Sequence, residues 1–149
     1  MDAVALAQTA PSACNRQSTH VFACLNTEKI AMIKHRHGGL SGFANLNALL
    51  VVTGNLRLYQ NEYERNTVFV DGGIFLMNLL YSLDAHNIAS CPIIWGAEPD
   101  NDHFLYNLLG IPESHEIISL IAIGNFPEND VLIPLSLKRD TQSILHFTD

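Results

Sequence analysis

One segment constrains the fold of this chain more than any other. From Thr67 to His86 the residues favour a helix that is apolar on nearly every face, with Phe69, Ile74, Phe75, Met77, Leu79, Leu80 and Leu83 distributed around it. A helix of that kind has to be surrounded by protein, in a core or in a subunit interface. Its most apolar stretch, Gly72 to Leu83, is interrupted by Asn78 and Ser82 and is shorter than the roughly 20 residues a bilayer span requires. The expectation is therefore a buried helix and no membrane.

The flanking segments can supply its surroundings. Asp2 to Thr9 is helix-forming and stops at Ala10-Pro11, since proline disfavours the helical state of the residue before it. Pro11 to Ser18 is a polar loop, and His20 to Leu25 reads as a strand centred on Val21 and Phe22. Thr27 is placed to cap a helix to about Lys34, with Glu28 early and Lys34 late, as the helix dipole prefers. Ala48 to Thr53 and Ile117 to Ile123 are continuous apolar runs, hence buried strands. Pro99 to Leu109 is a helix closed by Gly110. His35 to Phe43 is a Gly- and His-rich loop, a solvated segment or a lid. Tyr59, Glu62, Glu64 and Arg65 make a polar wall ahead of the long helix, and Asp71 either caps that helix or bonds to neighbouring backbone. From about residue 125 the chain is an extended tail with Pro127 and Pro134. Alternating helices and buried strands place it in the α/β or α+β class.

Composition narrows the function. The 149 residues fit one domain, spanning 1–149. Charged residues are only 15%, below the usual quarter or so, which points to surface covered by another subunit or a ligand. A net charge of -7, with the basic residues scattered, argues against nucleic acid as a partner. Cys14, Cys24 and Cys91 are an odd number without CxxC spacing, so neither a disulfide framework nor a zinc site is expected, and a cytoplasmic protein with reduced thiols is the simplest reading. The neighbouring histidines His35 and His37, with no carboxylate beside them, do not make a metal site.

Four segments, in order, resemble the nitroreductase-like family of FMN-dependent oxidoreductases. They are Ala10-Pro11-Ser12-Ala13-Cys14-Asn15-Arg16-Gln17; the start of the long helix, Val70-Asp71-Gly72-Gly73-Ile74-Phe75; Asn87-Ile88-Ala89-Ser90-Cys91-Pro92; and Leu109-Gly110-Ile111-Pro112 followed by Ile121-Ala122-Ile123-Gly124. The resemblance implies an α+β sandwich with a central apolar helix, forming an intertwined homodimer with two FMN sites in its interface. It implies hydride transfer from NADH or NADPH to a small acceptor such as a quinone or a nitroaromatic. The flavin carries that chemistry, so no catalytic dyad is expected.

The resemblance also assigns residues. Pro11, Ser12, Ala13 and Asn15 would reach the flavin of the partner subunit, with Gln17 supporting the loop. Pro92, Ile93 and Gly96 would pass beside the flavin N5 edge, where a backbone donor stabilises developing charge. Trp95 has two readings, a packed aromatic or a platform for substrate. Lys138 and Arg139 would hold the FMN phosphate, a role two cations suit. Two departures stand out. The family's Arg-Arg-Ser-x-Arg type segment ahead of the first helix has no counterpart here, because Met1 falls within the expected first helix; the chain reads as N-terminally short, either a fragment, a natural short form or a member without cofactor. Ser18 replaces the proline usual after the glutamine, a change expected to loosen the loop. The alternative to the oxidoreductase is thus a non-catalytic, cofactor-deficient dimer module.

Overall fold

Four antiparallel strands form one sheet in the order β1-β2-β4-β3: β1 is Thr19–Cys24, β2 Ala48–Asn55, β3 Ala89–Ile93 and β4 His115–Gly124. The computed structural model describes residues 1–96, 99–129, 132 and 135–148, so Pro134 lies outside the described residues. Helices α1 (Asp2–Ala7) and α3 (Thr67–Ala85) cover one face, and α2 (Thr27–Arg36) and α4 (Pro99–Leu109) the other.

The central strands are apolar on both sides because both sides are covered. Leu49 and Val51 of β2 pack with Ile30, Ile33 and Leu105, whereas Leu50 and Val52 pack with Ala7, Phe75 and Leu79. A bulge between Val52 and Thr53 shifts the register against β4, so that Ile117 and Leu120 reach the same face although three residues apart. The architecture is α+β, as expected.

Several boundaries and one element differ from the sequence reading. The cap of α2 is Asn26, not Thr27: its side chain accepts from Lys29 N at 3.0 Å. This helix continues to Arg36, two residues past the expected end. Strand β3 was not expected. Its Pro92, opposite Ile121, has no N–H for the ladder, and that is compatible with an edge strand, which β3 is.

Helix α3 is 19 residues long, exceeding its most apolar stretch, and the run Glu62–Ala85 that contains it has a window of mean hydropathy 1.3, long and apolar enough to cross a bilayer by length and composition. Its seat on the sheet assigns it to the protein instead. Val68, Asp71, Gly72, Phe75, Leu79, Ser82 and Leu83 are buried, and the helix lies close because two glycines permit it. A Cβ on Gly72 would come within 2.7 Å of Ile118 Cγ1, and one on Gly54 within 2.3 Å of Val68 Cγ2. The opposite face is not covered by the described residues. Val70, Ile74, Met77 and Tyr81, at the 4-3-4 spacing of one helical stripe, are exposed.

His115 sits at the head of β4, buried, with Nδ1 2.9 Å from Thr53 Oγ1. Burial pushes its pKa below the ordinary range, and like charge from His20 and Arg57 adds to this. Protons therefore bind the unfolded chain more readily than the folded one. The contribution to stability is complete above the ordinary histidine pKa of about 6.5 and diminishes as pH falls through it. The midpoint of thermal unfolding is expected to drop between pH 7.5 and 5.5, and less so in His115→Asn. Equal slopes for the two proteins would contradict this assignment.

Candidate functional site

Loop Pro11–Gln17 leaves α1 and enters β1. The turn at Ala13–Asn15 is a short 3-10 segment, and three non-glycine residues near it are left-handed: Cys14 (φ 52°), Asn15 (φ 53°) and Gln17 (φ 50°). Such conformations cost of order 1 kcal/mol each and persist where the surroundings enforce them. Asn tolerates this region best, because its short polar side chain bonds locally. Here Gln17 Nε2 donates to Asn15 Oδ1 at 3.3 Å and Gln17 N donates to Ser12 Oγ at 3.0 Å. The Ser12 hydroxyl, used as an acceptor, keeps its own proton to donate, and the Asn15 amide keeps its N–H groups.

Outside the loop, Asp71 on α3 accepts from Ala13 N at 3.0 and 3.2 Å and from Tyr59 Oη at 3.0 Å. Its bond is thus to backbone 58 residues away, not a cap of its own helix. Tyr59 Oη is also 2.5 Å from Ser18 Oγ. Ser18 is fully buried, and its carbonyl accepts from Asn55 N at 2.9 Å. The expectation that Ser18 loosens the loop is overturned: its hydroxyl ties the loop to Tyr59, a bond that proline could not make. Burial pushes the Tyr59 pKa up, which keeps it a donor at neutral pH. Arg16 pairs with Glu64, its guanidinium 5.6 Å from the centre of the Tyr59 ring. Bonds from Gln60 N and from Arg16 hold Glu64 below the usual carboxylate range. Two members of the polar wall expected ahead of the helix, Tyr59 and Glu64, are therefore the outer brace of the loop. Beneath the loop lies a cavity of about 170 Å³, bordered by Pro11, Ser12, Gln17, His20, Asp71 and Phe75.

The second expected group lies elsewhere. Pro92 and Ile93 end β3, with Ile93 buried and Ile94 and Gly96 exposed. Ser119 Oγ donates to Ile93 O at 3.0 Å, and His37 Nε2 lies 2.8 Å from Ile94 O. His37 stacks on Trp95, ring centres 5.4 Å apart, and Trp95 Nε1 donates to Asp102 Oδ1 at 2.5 Å. Trp95 is a packed aromatic between α2 and α4. Among the described residues the N–H groups of Trp95 and Gly96 meet no acceptor.

The loop and the Pro92–Gly96 segment stand on opposite edges of the sheet. The loop leads into β1, and the segment follows β3, three strand spacings away, or about 14 Å. Along β4 the start of β1 is level with Glu116 and the end of β3 with Leu120, an offset of about 13 Å at the rise of a strand. One chain does not bring them together. Lys138 and Arg139 join neither: both are exposed in the tail, and Lys138 Nζ contacts Ser136 Oγ at 3.4 Å. No residue-type signal pointed to Tyr59 or Ser18 as parts of the site. Asp71 carried one, a lone carboxylate within an apolar helix.

Comparison with known proteins identifies the fold and the family. The sequence matches the Nitroreductase family over residues 32–125, well over half of the chain. Among curated proteins none matches. Among solved structures, a Bacillus subtilis protein that carries the nitroreductase name superposes with a TM-score of 0.83 at 18% identity, covering 99% of this chain and 86% of that one. A nitroreductase family protein from Streptococcus pneumoniae gives 0.81 at 16% identity, covering 98% and 86%. A nitroreductase with bound FMN from Desulfitobacterium hafniense gives 0.71 at 16%, covering 99% and 85%. At such identities the structures establish the fold alone. The sequence match goes further: this chain belongs to the nitroreductase family.

Proposed function

We propose that the chain is an FMN-dependent oxidoreductase that works as a homodimer, taking hydride from NADH or NADPH and delivering it to a small acceptor such as a quinone or a nitroaromatic. The observation that carries this reading is the divided site. A strained, donor-bearing loop on one sheet edge and an amide-bearing segment on the other make a complete flavin pocket only across two subunits. The cavity of about 170 Å³ beneath the loop is smaller than the roughly 300 Å³ or more of a typical cofactor site, and the cavity of about 530 Å³ beside Ile94 and Gly96 is bordered by none of the loop residues.

When bound, the flavin supplies the hydride chemistry. The protein's share is to hold and orient. Ser12 and Asn15 donate to the ring of the partner's flavin, with Pro11 and Ala13 forming the loop wall and Gln17 bracing it. The backbone from Pro92 through Ile93 to Gly96 would pass beside the flavin ring, with the free N–H groups of Trp95 and Gly96 as its donors. Lys138 and Arg139 neutralise the phosphate. They lie 14 residues beyond Gly124, and such a length spans up to about 45 Å when extended, enough to reach a partner subunit. Two further features support the dimer: the exposed stripe of Val70, Ile74, Met77 and Tyr81, and a tail in which Leu132, Leu135, Leu137 and Phe147 are exposed. The thiols Cys14, Cys24 and Cys91 are unpaired, which fits a cytoplasmic protein.

The test is the visible spectrum of the purified protein, with FMN and then NADH added without oxygen. A band near 450 nm, roughly as any flavin shows, that bleaches with NADH supports the oxidoreductase. No band and no FMN uptake would leave the non-catalytic dimer module. The interface has its own test. The double variant Ile74→Glu/Met77→Glu is expected to halve the mass in light scattering at micromolar concentration and to lose bound FMN; a wild-type monomer would contradict the dimer.

A further inference from the structure

We infer that Asp71, acting with Tyr59 and Ser18, is the positioning group of the cofactor loop: one buried carboxylate fastens both ends of its left-handed stretch. The inference rests on the flavin role proposed for that loop and deepens it.

The loop cannot hold its shape alone. Cys14, Asn15 and Gln17 all occupy a region that non-glycine residues avoid, and the internal bonds, Gln17 N to Ser12 Oγ, Gln17 Nε2 to Asn15 Oδ1, Asn15 N to Ser12 O and Arg16 N to Ala13 O, join only neighbours within it. The fixed reference comes from α3. Asp71 takes Ala13 N on the near side of the strained residues, and through Tyr59 it takes Ser18 on the far side. The direction of the relay follows from the groups. Carboxylate oxygens accept, so Tyr59 donates to Asp71; its single proton is then used, and the Ser18 hydroxyl must donate to Tyr59.

The placement is otherwise hard to account for. Asp71 is 3% exposed on a helix face whose other buried members are Val68, Gly72, Phe75, Leu79, Ser82 and Leu83. A buried carboxylate is unfavourable unless its oxygens are bonded, and these are bonded to the loop. Glu64, which holds Arg16 over Tyr59, closes the arrangement from the solvent side.

The experiment compares Asp71→Leu, Asp71→Asn, Tyr59→Phe and, as a control for lost stability alone, Leu83→Val at the far end of the same helix. Two readouts are taken below the unfolding transition: the Kd for FMN, from quenching of flavin fluorescence, and hydrogen exchange at the Ala13 and Gln17 amides. Expected is a rise in Kd of about tenfold or more for Tyr59→Phe, which removes both hydrogen bonds of the Tyr59 hydroxyl, to Asp71 and from Ser18, and a larger rise for Asp71→Leu. Asp71→Asn, which keeps an acceptor for Ala13, should be partly rescued, and Leu83→Val should keep the wild-type Kd. Exchange at Ala13 and Gln17 should accelerate in the first and third variants only by way of the loop, not across β2 and β4. If the wild type binds FMN and Tyr59→Phe and Asp71→Leu bind it equally well, the inference is overturned. If the wild type binds no FMN, the functional reading fails by itself, and the exchange data still decide the positioning role: unchanged Ala13 and Gln17 amides in Asp71→Leu would overturn it.

Discussion

Gly72→Leu is expected to lose about 3 kcal/mol of stability or more, at the upper end of what overpacking a well-filled interior does. Leucine is a better helix former than glycine, so propensity alone would stabilise the helix. Space decides the sign. A Cβ at Gly72 already meets three atoms of Ile118, at 2.7, 2.9 and 3.1 Å, and the longer side chain would lever α3 off β4. Gly73 is the internal control. A Cβ there meets nothing within 4 Å, and Gly73→Ala should stabilise by about 0.5–1 kcal/mol, the ordinary gain of removing a helical glycine. Denaturant melts of the two variants check the pair. Similar midpoints would mean that α3 does not rest on the sheet at Gly72.

The double variant Ser12→Ala/Asn15→Asp is expected to weaken FMN binding by about 30-fold, or about 2 kcal/mol, from two lost hydrogen bonds. The choice of substitutions matters. Aspartate keeps Asn15's tolerance for a left-handed backbone and its acceptor for Gln17, while removing the amide donor. Alanine at position 12 removes the hydroxyl that would donate to the ring, along with the acceptor for Gln17 N. The Kd for FMN, measured on apoprotein, is the readout, and thermal unfolding of the same samples shows whether the loop has collapsed. An unchanged Kd would remove these two residues from the flavin site. It would leave the fold and the family untouched, since both rest on other residues.

What was legible in the sequence follows from the range of the interactions involved. The apolar run of α3, the runs Leu49-Leu50-Val51-Val52 and Ile117 to Ile123, and the stop at Gly110 are local patterns that burial on both faces, or a change of backbone sign, imposes on neighbouring residues. The heptapeptide from Pro11 to Gln17 could be read as a loop of specific kind, because its order and spacing are local too. By contrast, β3 was obscured by Pro92, which is tolerated because β4 pairs on one side and, among the described residues, no strand pairs on the other. The cap of α2 fell on Asn26 and not Thr27 because the geometry of the last loop residue decides it.

The sequence by itself determined the two-faced burial of the central strands, the apolar character of the long helix and the motif of the loop, since each is written in the order of adjacent side chains. Only the tertiary structure decided that Ser18 tightens the loop, that Asp71 reaches Ala13, and that the loop and the Pro92–Gly96 segment stand on opposite sheet edges. Those contacts join residues from 41 to 58 positions apart or depend on strand order. Chain proximity does not encode either; packing of α3 against the sheet brings them about.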